Sequence, residues 1–293
     1  LPQHFMQQGY FTQNIGKIYH NWRQDKEKGD APSWSVPAVM HYASHYHDRE
    51  RVDGEKPKSI SKDPKCFRKD VPDEAYFDGR VANLAIKALQ ERKEAGKPFF
   101  LAIGFWKPHA PFNAPSRYWD LYDRSKLSRV PNPEWPVDAP RIAWHNSREI
   151  LGGGKQRKLK KKAVMELRHG YLAAITYFDA QLGKVLAELD RLGLREKTIV
   201  VFWSDHGFHL GEHSLWAKTS NFELDAHVPM IISSPGMKER GVRTDSLAEL
   251  LDLYPTLVDL CGLPRAEGLE GKSLVPILED PTAIVKKGAF TQH

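Results

Sequence analysis

The sequence predicts an α/β fold, a mostly parallel central sheet flanked by helices. Three observations carry that expectation. Apolar runs short enough to be strands recur at residues 98–104, 198–203 and 228–233. Segments with apolar residues at helical spacing precede the first two of these runs. Residues able to do chemistry follow strand-like runs directly, where ligands bind in open α/β sheets.

Taken in order, residues 9–20 form a short aromatic-rich segment leading to Lys17 and His20. Residues 24–73 are polar, rich in Pro, Lys and Asp, and lack periodicity, so they read as a long excursion over the surface. Val81, Leu84, Ala85, Ala88 and Leu89 then recur at helical spacing, which predicts an amphipathic helix over 77–95 ended by Gly96. The run 98–104 follows as a buried strand, giving the helix-then-strand rhythm of a parallel sheet. Residues 120–160 again read as loop, punctuated by prolines and by Gly152, Gly153 and Gly154.

The longest helix is predicted over 165–192. Leu167, Tyr171, Ile175, Phe178, Leu182, Val185, Leu186 and Leu189 should face the core, and Gly193 stops it. Residues 198–203 have no polar alternation and read as a buried parallel strand. Residues 228–233 form a further strand, and 246–260 a helix bent or broken near Pro255. No internal repeat is evident. The basic run 155–162 reads first as a solvated helix start, and second as a landing site for a polyanion.

At 293 residues, with 41% hydrophobic and 27% charged, the chain has the composition of a large globular α/β domain. No apolar run is long enough to cross a bilayer, so no membrane partner is expected. A net charge of +6 favours an acidic partner. Zinc-finger spacing and an aromatic RNA-binding run are both absent, so nucleic acid is not expected. Two cysteines, Cys66 and Cys261, give no disulfide framework.

The densest chemistry lies between Phe202 and Lys218, which include Asp205, His206, His209 and His213. Asp205 and His206 leave the 198–203 run at its carboxyl end, with Gly207 and Gly211 allowing the backbone to turn. A carboxylate beside an imidazole suits a divalent cation, and Lys218 suits an anion held next to it. Asp-His-Gly alone is equally compatible with a tight turn and a helix cap. A zinc protease would need His-Glu-x-x-His on a helix, whereas Gly211-Glu212-His213 has another order and two glycines interrupt the segment.

Ser204-Asp205-His206-Gly207, Gly211-Glu212-His213 and Trp216-Ala217-Lys218 together resemble the metal and sulfate segment of type I, formylglycine-dependent sulfatases of the alkaline phosphatase superfamily. Three further stretches agree in order and spacing. They are the run from Gly16 to His20, the run from Lys107 to Phe112 with Lys107-Pro108-His109, and the run from Ser220 to Pro229. The resemblance extends from about Gly9 to about Gln292.

The resemblance implies a sulfuric ester hydrolase acting on a sulfated carbohydrate, with iduronate 2-sulfate the specific sugar it points to. Asp205 and His206 would be metal ligands, with calcium as the cation. Lys17 and Lys218 would contact the sulfate, His109 would protonate the leaving oxygen, and His20 would assist collapse of the sulfated intermediate. His213 and His227 are further substrate-binding candidates, although His227 reads equally well as a buried histidine before a strand. The family's periplasmic, secreted or lysosome-like locations would follow, as would a formylglycine-generating or equivalent maturation enzyme as partner.

One departure stands out. The family nucleophile is made from Cys or Ser in Cys/Ser-x-Pro-x-Arg, and no such motif occurs here; Asn113-Ala114-Pro115-Ser116-Arg117 is headed by Asn. In the family that motif, with an Asp pair of the metal site, precedes the residue matching Lys17. Both are therefore expected upstream of Leu1, and a smaller subdomain beyond His293. The chain reads as a partial catalytic domain that binds metal poorly and does not by itself turn over an aryl sulfate. A metal-dependent phosphoester or phosphonate hydrolase of the same superfamily and a non-catalytic binder of sulfated glycan remain as alternatives.

Overall fold

The computed structural model describes residues 1–19, 30–40, 66–143, 150 and 159–292. Along the chain run helix α1 (Pro2–Gln7), strand β1 (Phe11–Gly16), strand β2 (Cys66–Lys69), helix α2 (Phe77–Ala95), strand β3 (Phe99–Gly104) and strand β4 (Phe112–Pro115). Helix α3 (Ser116–Trp119), helix α4 (Lys161–Arg191), strand β5 (Val200–Trp203), strand β6 (His209–Leu210) and strand β7 (Trp216–Ala217) follow. Helix α5 (Glu223–Ala226), strand β8 (Met230–Ser233), helix α6 (Leu253–Leu260) and helix α7 (Val275–Glu279) complete the order.

The α/β class stands. Among the described residues β1 pairs with β3 and β2 with β4, both parallel, while β5–β8 and β6–β7 are antiparallel. Helices α2 and α4 pack together on this framework, and Ile15, Val81, Ala85, Leu89, Trp106, Val185 and Leu189 share one buried cluster. No helix among the described residues is long and apolar enough to cross a membrane.

Helix α2 matches its predicted span, and Gly96 ends it in the left-handed conformation at φ 62°. Strand β1 escaped sequence reading because its buried residues include Thr12 and Asn14, both fully enclosed. Thr12 is satisfied by a segment some twenty residues on: its hydroxyl donates to the Ser33 carbonyl at 2.8 Å, and its N–H bonds the Ser35 hydroxyl at 3.0 Å. Strands β2 and β4 likewise lie in stretches that lack apolar periodicity. The surface reading of 24–73 covers residues 30–40 in part only, since Ser33 and Trp34 are buried; residues 20–29 and 41–65 lie outside the described residues.

The run 198–203 departs from expectation. Strand β5 is antiparallel to β8 and half-buried, with Trp203 46% exposed. The connection from β5 to β8, residues 204–229, carries the β6–β7 hairpin, and its only α-helix is the one-turn α5. A parallel return usually runs through an α-helix covering the sheet, which this connection lacks. The predicted helix 246–260 is shorter, because 253–260 alone is α-helical and Pro255 falls in its first turn, where a missing N–H costs nothing. Of the basic run, residues 155–158 lie outside the described residues, and α4 begins at Lys161.

In α4 Leu167, Val185 and Leu189 are buried as predicted, but through the middle of the helix the buried face is rotated from the predicted one. Gly170, Ala173, Ala174, Tyr177 and Gln181 are enclosed, whereas Ile175 is 36% exposed. The polar residues are buried because they have partners. The Tyr177 hydroxyl donates to the Asp73 carbonyl at 2.9 Å and accepts the Gly79 N–H at 2.6 Å.

Asp73 anchors the same corner, where its side chain, 6% exposed, takes an ion pair from Lys184 at 2.6 Å and another from Arg117. Burial alone would raise its carboxyl. Hydrogen bonds from Lys184, Gln181 and Tyr118 and the Lys184 charge outweigh that and hold it below the ordinary 3.8. A depressed folded pKa contributes stability that is present above the unfolded value and lost as pH falls through the folded one. Asp73→Asn should therefore cost roughly 1.5–3 kcal/mol at pH 7, the range for hydrogen bonds to charged groups. The gap from wild type should close as pH falls below the ordinary carboxylate value. Denaturant unfolding of both proteins at pH 7 and pH 3 checks this; an equal gap at both would refute it.

Candidate active site

Lys17 leaves β1 directly after Gly16, and its N–H bonds the Gly104 carbonyl at 2.8 Å. A Cβ on Gly104 would stand 1.8 Å from the Lys17 carbonyl oxygen, so only glycine lets the two chains cross there. Because β1 and β3 are parallel with Gly16 opposite Gly104, Lys17 and the segment after β3 emerge at the same edge.

That segment is pinned by Asp78 in the first turn of α2. Its fully buried carboxylate accepts the Trp106 N–H at 2.7 Å and the Lys107 N–H at 2.9 Å. Lys107 is turned inward, 4% exposed, and donates to the Pro111 carbonyl at 3.0 Å. His109 is half-buried, with its ring edge-on to Trp106 at 5.3 Å and its Nδ1 2.6 Å from the Ala110 carbonyl. A carbonyl only accepts, so Nδ1 carries a proton in this contact.

Asp205 and His206 leave the carboxyl end of β5. The Lys17 ammonium lies 3.7 Å from Asp205 Oδ2, which joins two motifs far apart in sequence. His206 Nδ1 donates to the Gly207 carbonyl at 2.8 Å, so in the neutral ring its Nε2 lone pair, 3.7 Å from Asp205 Oδ1, is free to bind a cation. Gly207 is required for close approach rather than for a left-handed turn: a Cβ there would meet the Leu224 carbonyl at 1.8 Å. Gly211 does turn left-handed, at φ 108°.

Asp205 offers one carboxylate and His206 one imidazole, and no group of three or more potential metal ligands occurs among the described residues. Calcium takes six to eight oxygens. This donor set does not by itself make a calcium shell.

Beyond Gly207 the chain forms the β6–β7 hairpin, with His209 opposite Ala217. Glu212 ties the hairpin to α4, pairing with Arg168 at 3.1 Å and accepting the Leu210 N–H at 2.6 Å. Lys218 follows β7 and is 9% exposed. Both neighbours of Lys218 are non-glycine residues in the left-handed region, Ala217 at φ 82° and Thr219 at φ 83°. Each such residue stores about 1–3 kcal/mol and persists only where its surroundings over-determine it. His213, at φ 53°, stacks on Phe222 with centroids 5.0 Å apart, and its N–H bonds the Asn132 carbonyl at 2.6 Å.

Two residues that sequence reading left without a role are central here. His209 is fully enclosed and donates through Nδ1 to Asp225 Oδ1 at 2.9 Å. Asp225 Oδ2 accepts the Ser220 hydroxyl at 2.5 Å and the Ser220 N–H at 3.0 Å, while its carbonyl accepts the Gly207 N–H at 2.8 Å. Burial alone would raise the Asp225 carboxyl, but the His209 and Ser220 hydrogen bonds hold it below its ordinary value. Both residues stand within the matched motifs. The signal was an acid and an imidazole in segments otherwise apolar enough to be buried.

The other candidates divide. His227 is exposed and sits 3.6 Å from Glu223, with no part in the contacts that join Lys17, Asp205 and His206. It is not a buried histidine, because the strand it precedes starts only at Met230. His20 lies outside the described residues.

Residues 1–263 match the family model described as Sulfatase. The chain belongs to the sulfatase family. It is 32% identical over 300 residues to iduronate 2-sulfatase of Homo sapiens, an alignment covering 90% of this chain and 54% of that protein. This sulfatase-family chain thus spans about half the length of the curated relatives it matches. Among solved structures it resembles phosphonate monoester hydrolase from Silicibacter pomeroyi, with TM-score 0.70 and 22% identity over 98% of this chain and 62% of the other. It also resembles BT4656, solved in complex with its substrate D-glucosamine-2-N,6-O-disulfate, with TM-score 0.69 and 21% identity over 96% of this chain and 64% of the other. These likenesses establish the α/β fold.

Proposed function

We propose that the chain carries most of the leaving-group and sulfate-binding machinery of a sulfuric ester hydrolase acting on a sulfated sugar. The observation that carries the reading is the Lys17–Asp205 contact at 3.7 Å, which brings together two matching motifs far apart in sequence. Sulfate transfer loads negative charge onto the non-bridging oxygens and the leaving alcohol. Lys17 and Lys218 supply fixed positive charge for the first, and His109 supplies a proton for the second. A formylglycine nucleophile, made by a maturation enzyme, belongs to the part of the longer protein that precedes Lys17. The oxygens that would complete a calcium shell around Asp205 belong there too. His20 and His213 are proposed at the substrate, and a periplasmic, secreted or lysosome-like location suits such a protein.

The sugar is proposed as a 2-O-sulfated uronic acid, supported by the 32% identity to iduronate 2-sulfatase and by the net charge of +6. A phosphonate or phosphate ester is the second reading, favoured by the equally good fold match to the phosphonate monoester hydrolase. The full-length protein should be compared on a 2-O-sulfated uronic acid disaccharide, a 6-O-sulfated hexosamine and a phosphate monoester. The first should give the highest kcat/KM. Preference for the phosphate would overturn the class, and preference for the hexosamine would overturn only the sugar.

A further inference from the structure

We infer that Asp225, acting with His209 and Ser220, is a positioning residue that holds Lys218 in its working conformation. Lys218 sits between two non-glycine residues in the left-handed region, a backbone state that does not persist unaided. Asp225 grips the chain on both sides of it. One carboxylate oxygen holds His209, whose backbone lies opposite Ala217, the residue before Lys218. The other holds the backbone and hydroxyl of Ser220, two residues after Lys218. The Asp225 carbonyl also fixes Gly207, beside His206. A single buried residue therefore ties the segment that ends in Lys218 to the turn that presents Asp205 and His206.

The enclosure of the unit makes this geometry stiff. Asp225 and Ser220 are 5% and 9% exposed and His209 is 0% exposed, so water does not replace a lost bond. The outer side of His209 is covered by Phe222, edge-on at 6.0 Å, and by His213 at 6.0 Å. Removing the Asp225 carboxylate releases both anchors at once and lets residues 217–219 relax out of the left-handed region. The Lys218 ammonium then moves away from the anion it serves.

Two measurements test this. The first is brief acetylation of the protein with acetic anhydride, read residue by residue by mass spectrometry, with Lys107 (4% exposed) as the buried internal reference. Asp225→Ala should raise labelling of Lys218 about fivefold or more while Lys107 stays protected, as expected for a local opening. Ser220→Ala, a milder change that keeps the His209 bond, should give a smaller rise with the same selectivity. A parallel rise at Lys107, or no rise at Lys218 in either variant, overturns the proposal. This arm needs no turnover, so its outcome is independent of the proposed function.

The second measurement rests on that function and is a double-mutant cycle on an aryl sulfate with the full-length protein. Asp225→Ala should lower kcat about tenfold beside Lys218 and less than about twofold in the Lys218→Ala background, because residues acting through one another are not additive. Equal losses in both backgrounds would make Asp225 merely structural.

Discussion

Replacing Lys218 by alanine in the full-length protein is expected to lower kcat for an aryl sulfate by about 10²–10³-fold, the usual cost of losing one preorganised partner for developing charge. The size of the effect follows from where the structure holds this lysine. It is nearly enclosed, so its charge acts in a medium where water screens little. Its neighbours Ala217 and Thr219 pay backbone strain to aim it, which a lysine serving only solubility would not require. Arginine should not restore the rate, since a planar guanidinium is bulkier and presents its donors in a fixed fork. Steady-state rates of the three proteins check this. A loss below tenfold would remove Lys218 from the site.

His109→Ala should discriminate between substrates. On a sugar sulfate, whose leaving alcohol needs a proton, the expected loss is about 10²–10⁴-fold. On 4-nitrophenyl sulfate, whose phenolate leaves unaided, it should be under about tenfold. The geometry behind this is the Nδ1 contact with the Ala110 carbonyl at 2.6 Å, which fixes the ring that is proposed to hand a proton to the leaving oxygen. Asp78 fixes the loop through the Trp106 and Lys107 N–H groups, so the ring is presented rather than mobile. Equal losses on both substrates would show that His109 positions the ester and does not protonate it.

The motif residues were legible because their chemistry is written in residue type. The sequence places Asp205 and His206 at the carboxyl end of a strand-like run, where they lie; Lys17, which it places only at the end of an aromatic-rich segment, joins them through its 3.7 Å contact with Asp205. Helix α2 was legible for a different reason, since its apolar face follows helical spacing and Gly96 marks its stop. What sequence reading missed depends on partners that lie far along the chain. Strand β1 buries Thr12 because Ser33 and Ser35 satisfy it. Helix α4 buries Tyr177 because Asp73 and Gly79 do the same. Asp225 carries no periodic signal of its own, and its role rests on the convergence of His209 and Ser220 on its carboxylate. Periodicity reports burial only for apolar residues, so polar positions with remote partners rotate the true buried face away from the predicted one.

Lys17, Lys218 and His109 are proposed to converge on one sulfate ester, and a crystal structure of the full-length protein soaked with inorganic sulfate decides whether they do. Sulfate is expected at the carboxyl ends of β1, β3 and β5, with oxygens about 3 Å from the Nζ atoms of both Lys17 and Lys218. The His109 ring should face the side left open for the leaving group. Sulfate bound elsewhere, with Lys17 and Lys218 directed to different surfaces, would overturn the shared site.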